Sequence, residues 1–137
     1  MLREELAPRL RRLGFKGSGQ AFSLPDDSWW IHIGFQKATW SDSDFVSFTA
    51  NVTVANKAEW ERMRQERTYL PAKPAPNTFY GSYVWQKRIG QLLPGGQDQW
   101  WELGQDSSEA PKVAALVAVA IHDYVIPAVQ AHLAGET

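Results

Sequence analysis

Two stretches of this chain alternate apolar and polar residues with a period of two, the pattern of β-strands that bury one face. In the stretch 29–36 the large apolar residues stand at odd positions, namely Trp29, Ile31, Ile33 and Phe35. In the stretch 46–54 they stand at even positions, namely Val46, Phe48, Ala50, Val52 and Val54. Facing residues on antiparallel strands share one face of the sheet, so their numbers must here have an odd sum. A turn centred near Ser41 then places Trp30 opposite Asn51 or Thr53.

Three further segments are predicted as strands. The segment 21–24 precedes the turn residues 25–28 and should pair with 29–36, which sets Phe22 opposite Ile31. The segments 84–92 and 99–103 lie on either side of a turn that contains Pro94-Gly95-Gly96. The sequence therefore predicts an antiparallel sheet of about five strands.

Two apolar helices are predicted, one before the strands in the sequence and one after them. The first has one leucine stripe, made of Leu2, Leu6, Leu10 and Leu13. The last starts near Pro111, is kinked at Pro127 and ends near Leu133. Its expected apolar face consists of Val113, Leu116, Val117, Ala120, Ile121 and Tyr124. Together these patterns predict an α+β fold in two layers, with the N-terminal and C-terminal helices on one face of the sheet and the other face open.

A third helix, from Asn56 as N-cap to about Arg67, is mostly charged. Only Trp60 and Met63 are large apolar candidates for its buried side, so it is expected on the surface. The proline-rich segment 71–77 that follows cannot be helical and is predicted as an extended connector. It is too short to separate two domains, so the chain of 137 residues is expected to form one domain.

Composition narrows the possible functions. The chain has no cysteine, which excludes disulfides, thiolate metal sites and a cysteine nucleophile, and fits a reducing compartment. Its first residues do not resemble a signal peptide, and the apolar run 113–121 is too short to span a bilayer. A cytoplasmic location without membrane attachment is therefore expected. The net charge of −1 argues against a nucleic-acid partner.

Five short motifs, in order, resemble a bacterial family catalogued as domain of unknown function 4304. They are Leu13-Gly14-Phe15-Lys16, Gly34-Phe35-Gln36-Lys37, Phe48-Thr49-Ala50-Asn51-Val52, Arg88-Ile89-Gly90 and Asp98-Gln99-Trp100-Trp101. The resemblance implies a compact α+β domain in bacteria, and in some relatives an association with toxin immunity. It implies no activity and no catalytic residue.

Doubled tryptophans at 29–30 and 100–101 place one ring on each side of the sheet, because successive side chains of a strand point to opposite faces. Alternation does not decide which of Trp100 and Trp101 faces outward, although Leu103 favours Trp101 as the inward ring. Strand alternation then collects a set of polar and aromatic side chains on the face away from the helices. These candidate binding residues are Trp30, His32, Gln36, Asn51, Arg88, Asp98 and Trp100. A guanidinium fork, amides and rings on one surface are suited to recognition.

Three functions stay open at this point. The first is a non-catalytic binding domain, with an immunity-protein role as one form of it, that binds a protein partner or a second copy of itself. The second is a nucleic-acid binder that stacks bases on the sheet. The third is a small-ligand or enzymatic domain with a pocket around Arg88, His32 and Asp98. A purely structural role is also open for Arg88, which would then pair with Asp98 or stack on Trp30.

The sequence identifies no catalytic residue, no metal site and no cofactor. The histidines at positions 32, 122 and 132 lack metal-ligand spacing. His122 and Asp123 are adjacent on a helix and should diverge, which makes them a poor dyad. The glycine pairs of the chain lack the Lys-Ser/Thr of a phosphate loop.

Overall fold

The computed structural model describes residues 2–38, 45–81, 84–104 and 107–135. In chain order its elements are α1 (Leu2–Arg12), β1 (Lys16–Ser18), β2 (Ala21–Ser23), β3 (Trp29–Lys37), β4 (Phe45–Asn56), α2 (Lys57–Glu66), β5 (Trp85–Arg88), α3 (Ile89–Leu92), β6 (Trp101–Gly104), a 3₁₀ turn (Ser107–Glu109), α4 (Ala110–Ala120), a π-helical turn (Ile121–Val125) and α5 (Ile126–Leu133). This confirms the α+β class.

The six strands form one antiparallel sheet. Strands β1 to β5 follow one another in sequence order, and β6 also pairs with β4. Every facing pair of β3 and β4 has an odd sum, as the alternation predicted, for example Ile33 with Val52. The position along the strand is shifted, because alternation fixes the face but not the alignment. Trp30 faces Ala55 instead of Asn51 or Thr53. The expected turn tip at Ser41 lies outside the described residues.

The first hairpin is shifted in the same sense. Phe22 faces Ile33, two residues further along β3 than the predicted partner Ile31. The short strand β1, which the sequence did not reveal, extends the sheet beyond β2.

Strands β5 and β6 occupy the same edge of β4, one after the other. Residues 85–88 pair with 54–51, and 101–104 pair with 48–45. The predicted strand 84–92 is therefore wrong beyond Arg88, where the chain turns into α3 and leaves the sheet. The turn is held by the Gln91 side chain, whose Oε1 accepts from the Arg88 backbone N–H at 2.9 Å. Strand propensity from 89 to 92 is thus overridden by a local side-chain cap.

The main core lies between the sheet and the helices α1, α4 and α5. Its fully buried residues include Leu10, Ile33, Val52, Val117 and Ile121. The placement of both terminal helices on one face is thereby confirmed.

The buried stripe of the C-terminal helices differs from the predicted one. Leu116 and Tyr124 are 53% and 40% exposed, whereas Val125 and Val129 are buried. The π-helical turn at Ile121–Val125 explains the change at Tyr124, because a wider turn rotates the residues that follow it. The same π-helical turn directly precedes Pro127, where the sequence predicted a kink, and Pro127 lies in the first turn of α5.

By length and composition, the helical stretch Ala110–Leu133 is able to cross a membrane. The sequence argument considered only the shorter run 113–121, so the expectation of no membrane attachment stays a prediction. The same stretch supplies Val117 and Ile121 to the core, as a core helix does.

The side of the sheet away from α1, α4 and α5, here called the distal face, is partly covered. A second apolar cluster lies on it, formed by Ala55, Trp60, Met63, Leu70 and Val84. Helix α2 contributes Trp60, whose indole Nε1 donates to the Pro71 carbonyl at 3.1 Å. Residues 71–77, the connector, then cross the strands. The expectation of an open distal face thus needs correction, because a third layer covers part of it.

Candidate functional site

The distal face collects the polar residues that the alternation assigned to it. Asn51 on β4 faces Gly34 on one side and Arg88 on the other, and Gln36 lies further along β3. Thr53 similarly lies between His32 and Gln86. Gln36, Asn51 and Arg88 are therefore on the same side of the sheet.

Trp30 and His32 lie under the covering layer. His32 is only 5% exposed, and its Nδ1 lies 2.8 Å from the Pro74 carbonyl, to which the neutral ring donates. Burial lowers the pKa of His32 below the usual 6.5, and the nearby Lys73 charge lowers it further, against the opposing effect of the Pro74 bond. Trp30 is half-buried beneath the Lys57 ammonium, 4.5 Å from its ring centre. Both residues help to hold the connector and α2.

Glycine at position 34 lets the connector approach the sheet. A Cβ at this position would lie 2.7 Å from the Pro76 Cβ and even closer to the Asn77 Oδ1. The Asn77 side chain occupies this space and donates from Nδ2 to the Phe35 carbonyl at 3.3 Å. The end of the connector is therefore fixed directly on β3.

A cleft opens where the connector ends. Its volume is about 240 Å³, and we call it the amide cleft. It is lined by Gln36, Asn51, Val52, Thr53, Pro76, Asn77, Thr78, Phe79, Gln86, Lys87, Arg88 and Gln91. Five of these residues are asparagine or glutamine, two are basic and none is acidic.

The carboxamides of the cleft hold one another in place. Asn51 Nδ2 donates to Gln36 Oε1 at 2.8 Å and to Asn77 Oδ1 at 2.9 Å. These bonds fix the orientation of all three amides, because each nitrogen and oxygen is assigned by its partner. Strands β3 and β4 and the connector thus contribute one amide each to the same chain of hydrogen bonds.

Gln86 closes the other end of this network. Its Nε2 donates to the Thr78 carbonyl at 2.6 Å and to Thr53 Oγ1 at 3.3 Å, and its Oε1 accepts from the Tyr80 backbone at 2.8 Å. Two of these bonds attach residues 78–80 to the sheet, and the bond to Thr53 fixes the Gln86 side chain on β4. Gln86 therefore supports the wall of the cleft.

Arg88 lies at the open rim, next to the loop that precedes β6. Its Nη1 is 3.5 Å from Asp98 Oδ2, and its guanidinium lies 5.4 Å from the Trp100 ring centre. The Trp100 indole donates to the same carboxylate oxygen at 2.7 Å. The pairing of Arg88 with Asp98, one of the two structural alternatives, is therefore present, whereas Trp30 lies elsewhere.

Gly90 positions this loop. A Cβ there would lie 2.6 Å from the Gln99 backbone nitrogen and closer still to the Gln97 carbonyl, so residues 97–99 pack on the glycine backbone. Thr49 then donates from Oγ1 to the Gln99 carbonyl at 2.6 Å. Trp101, whose direction alternation alone left open, packs inward with its ring 5.7 Å from that of Phe48.

Sequence reasoning missed Asn77, Phe79 and Gln91 as members of the site. Asn77 and Phe79 follow a connector whose path cannot be read from local patterns, and Gln91 was assigned to a strand. Phe79 is 81% exposed at the edge of the cleft. A large exposed aromatic after a proline-rich segment was the available signal.

The remaining histidines lie outside the cleft. His122 Nδ1 contacts Asp123 Oδ1 at 2.8 Å, so the expected divergence of these two side chains is wrong. Both side chains are exposed on the outer side of the π-helical turn. His132 stacks on Trp85 with ring centres 5.0 Å apart. Among the described residues, no group of three potential ligands could hold a metal ion.

Comparison with known proteins identifies the family and nothing more specific. No curated protein and no solved structure matches the chain. A family model described as "Domain of unknown function (DUF4304)" matches residues 6–131. This range includes the sheet, the connector and all residues of the amide cleft. The chain therefore belongs to the DUF4304 family.

Proposed function

We propose that this protein is a non-catalytic binding domain that takes its ligand or partner in the amide cleft. The observation that carries the proposal is the network of Gln36, Asn51 and Asn77. These amides are fixed by one another, and some of their hydrogen-bonding groups are left over for a ligand. Groups held in place before binding lose little conformational entropy when they bind.

The rim of the cleft supports the same function. Phe79 is almost fully exposed, and it also borders a neighbouring groove of about 430 Å³ that contains Tyr69. Exposed aromatic rings beside a polar cleft are typical of the residues that contribute most to binding. A ligand anchored in the cleft would cover Phe79.

The composition of the cleft argues against catalysis. Its lining contains no histidine and no carboxylate, so no general base adjoins the Thr53 or Thr78 hydroxyl. Of the three residues of the enzymatic alternative, Arg88 and Asp98 form an ion pair, but His32 does not line the cleft. Arg88 lines the cleft, His32 is bonded to the connector, and Asp98 is bonded to Trp100.

The nucleic-acid alternative has little support on the distal face. Base stacking needs exposed rings on the strands, but Trp30 is covered and Trp100 is occupied by Arg88. The chain is also slightly acidic overall. We further propose a cytoplasmic location in a bacterium, which the absence of cysteine and the family resemblance support.

Affinity capture from the native host, with quantitative mass spectrometry, tests the proposal. The tagged protein is compared with the cleft variants Arg88→Ala and Phe79→Ala. Matched controls are Arg62→Ala, which removes an exposed arginine of α2, and Tyr69→Ala, which removes an exposed ring outside the cleft.

A true partner should be retained by the wild type and the Arg62→Ala control and depleted by both cleft variants. Tyr69→Ala should weaken capture less than Phe79→Ala. Equal capture of every protein by all variants would refute the cleft as the site. Sedimentation of the purified protein reveals whether the partner is a second copy.

A further inference from the structure

We infer that the group recognised in the amide cleft is a carboxylate, and this inference rests on the proposed function. The hydrogen-bonding groups that face the cleft are mostly donors. Gln36 and Gln91 each accept a hydrogen bond through the side-chain oxygen. Among the described residues, neither side-chain Nε2 has a protein acceptor, so both are available as donors. Asn51 Oδ1 is the acceptor that the same network leaves over.

Arg88 adds a positive charge and a planar fork to these donors. Its single described ionic contact is the 3.5 Å approach of Nη1 to Asp98, which leaves most of its five N–H groups available. Arginine and carboxylate match each other in a bidentate geometry. Side-chain exposure of 35% leaves the guanidinium accessible from the cleft.

Asp98 offsets part of the Arg88 charge from outside the cleft, because its Oδ2 lies 3.5 Å from Arg88 Nη1. The carboxylate is bonded to the Trp100 indole at 2.7 Å and is absent from the cleft lining, where no acidic residue occurs. The Lys87 side chain lies on the opposite face of the sheet from that of Arg88, because Lys87 faces the core residue Val52. On that face, burial and then the Lys87 charge lower the pKa of His132. An anion that enters thus meets one guanidinium and neutral amides.

This donor set favours a monoanion over a phosphate. A phosphate carries nearly two negative charges near pH 7 and is usually bound by several cations or helix N-termini. One guanidinium with two amides matches the single charge and two oxygens of a carboxylate. The volume of about 240 Å³ accommodates a small organic acid or the last residue of a peptide. Phe79 at the rim provides an apolar surface for the group attached to the carboxylate.

Titration of the ¹⁵N-labelled protein with sodium benzoate, and with benzamide at the same ionic strength, tests the charge requirement. Benzamide has the same ring and shape but no charge. We expect saturable shifts of the Gln36, Asn51 and Gln91 side-chain amides with benzoate only. Arg88→Gln should weaken benzoate binding by about tenfold to a hundredfold, the effect of losing hydrogen bonds to a charged group.

Two further variants control this result. Arg62→Gln makes the same change of charge on α2 and should leave benzoate affinity unchanged. Arg88→Lys retains the charge without the fork and should bind with intermediate affinity. A wild-type-like spectrum outside the cleft shows that each variant is folded.

Hexapeptide pools with free or amidated C-termini distinguish the two sources of a carboxylate. Tighter binding of the free-acid pool than of benzoate identifies a peptide C-terminus, and preference for benzoate identifies a small acid. Equal binding of benzamide and benzoate would overturn the carboxylate and leave the cleft as a binding site. Absence of saturable shifts with benzoate and both pools would also overturn it, while the capture experiment decides the proposed function independently.

Discussion

Substitution of Gly34 by alanine should detach the end of the connector from the sheet. The added Cβ would lie 2.7 Å from the Pro76 Cβ and closer to the Asn77 side chain, so residues 76 and 77 must move. Pro76 is part of a rigid ring, so a simple change of rotamer does not relieve the contact. The movement removes the Asn77 bonds to Asn51 and to the Phe35 carbonyl.

The expected loss of stability follows from these contacts. Each Asn77 hydrogen bond contributes about 0.5–1.5 kcal/mol, and overpacking costs about 1–3 kcal/mol. In the opposite direction, alanine stabilises the protein by about 0.4–1 kcal/mol, because it lowers the conformational entropy of the unfolded chain. Because these terms overlap, the free energy of unfolding should fall by about 2 kcal/mol. For a domain of this size, that corresponds to a melting temperature lower by about 6–8 °C.

Thermal unfolding followed by circular dichroism and tryptophan fluorescence measures the effect. Gly104→Ala is the matched control, because a Cβ there meets no atom of the described residues within 4 Å and Gly104 also lies in a strand. The control should melt within error of the wild type. If Gly34→Ala melts together with the control and retains its Asn77 side-chain amide signal, the reasoning about the connector is wrong.

Three further predictions concern Gly90, His32 and Arg88. Gly90→Ala should destabilise the fold more than Gly34→Ala in the same melting assay, because the obstructing atoms belong to the backbone of residues 97–99. Because the pKa of His32 is lowered in the folded protein, the unfolded chain takes up this proton first as the pH falls. The free energy of unfolding should therefore be constant above pH 6.5 and should fall below that pH. The contribution of His32 to this fall is at most about 1.4 kcal/mol per pH unit. Urea unfolding between pH 7.5 and 5.5 should show a smaller fall for His32→Asn, and an identical fall would contradict this assignment. Arg88→Ala should lower stability by less than about 1 kcal/mol, because its ion pair is exposed, and a larger loss without any loss of binding would make the arginine structural.

Strand alternation predicted the faces of the sheet correctly. The parity of Ile33 and Val52, and with it the common side of Gln36, Asn51 and Arg88, depends only on the geometry of extended chains. The N-cap at Asn56 could be predicted from the sequence as well, because its side chain accepts from the backbone N–H of Glu59, three residues later. Local chemistry was sufficient for these features.

The cover of the distal face could not be predicted in the same way. The connector is attached through contacts between residues far apart in the sequence, such as His32 with Pro74. No periodicity encodes such a contact. The glycine at position 34 was visible, but its reason became clear only once Pro76 was placed above it. The sequence therefore predicted correctly which face carries Gln36, Asn51 and Arg88, but predicted incorrectly that this face is open.

Strands β5 and β6 pair with the same edge of β4, whereas the segment between them lies outside the sheet. Because β5 and β6 are both aligned by the same neighbouring strand, the chain between them leaves and rejoins the sheet at fixed points. Residues such as Gln91 and Asp98 belong to this excursion, so its length and sequence can diverge among homologues while the strand pairing is preserved. A change in this one segment alters the rim beside Arg88 without disturbing the pairing of β4 with β5 and β6.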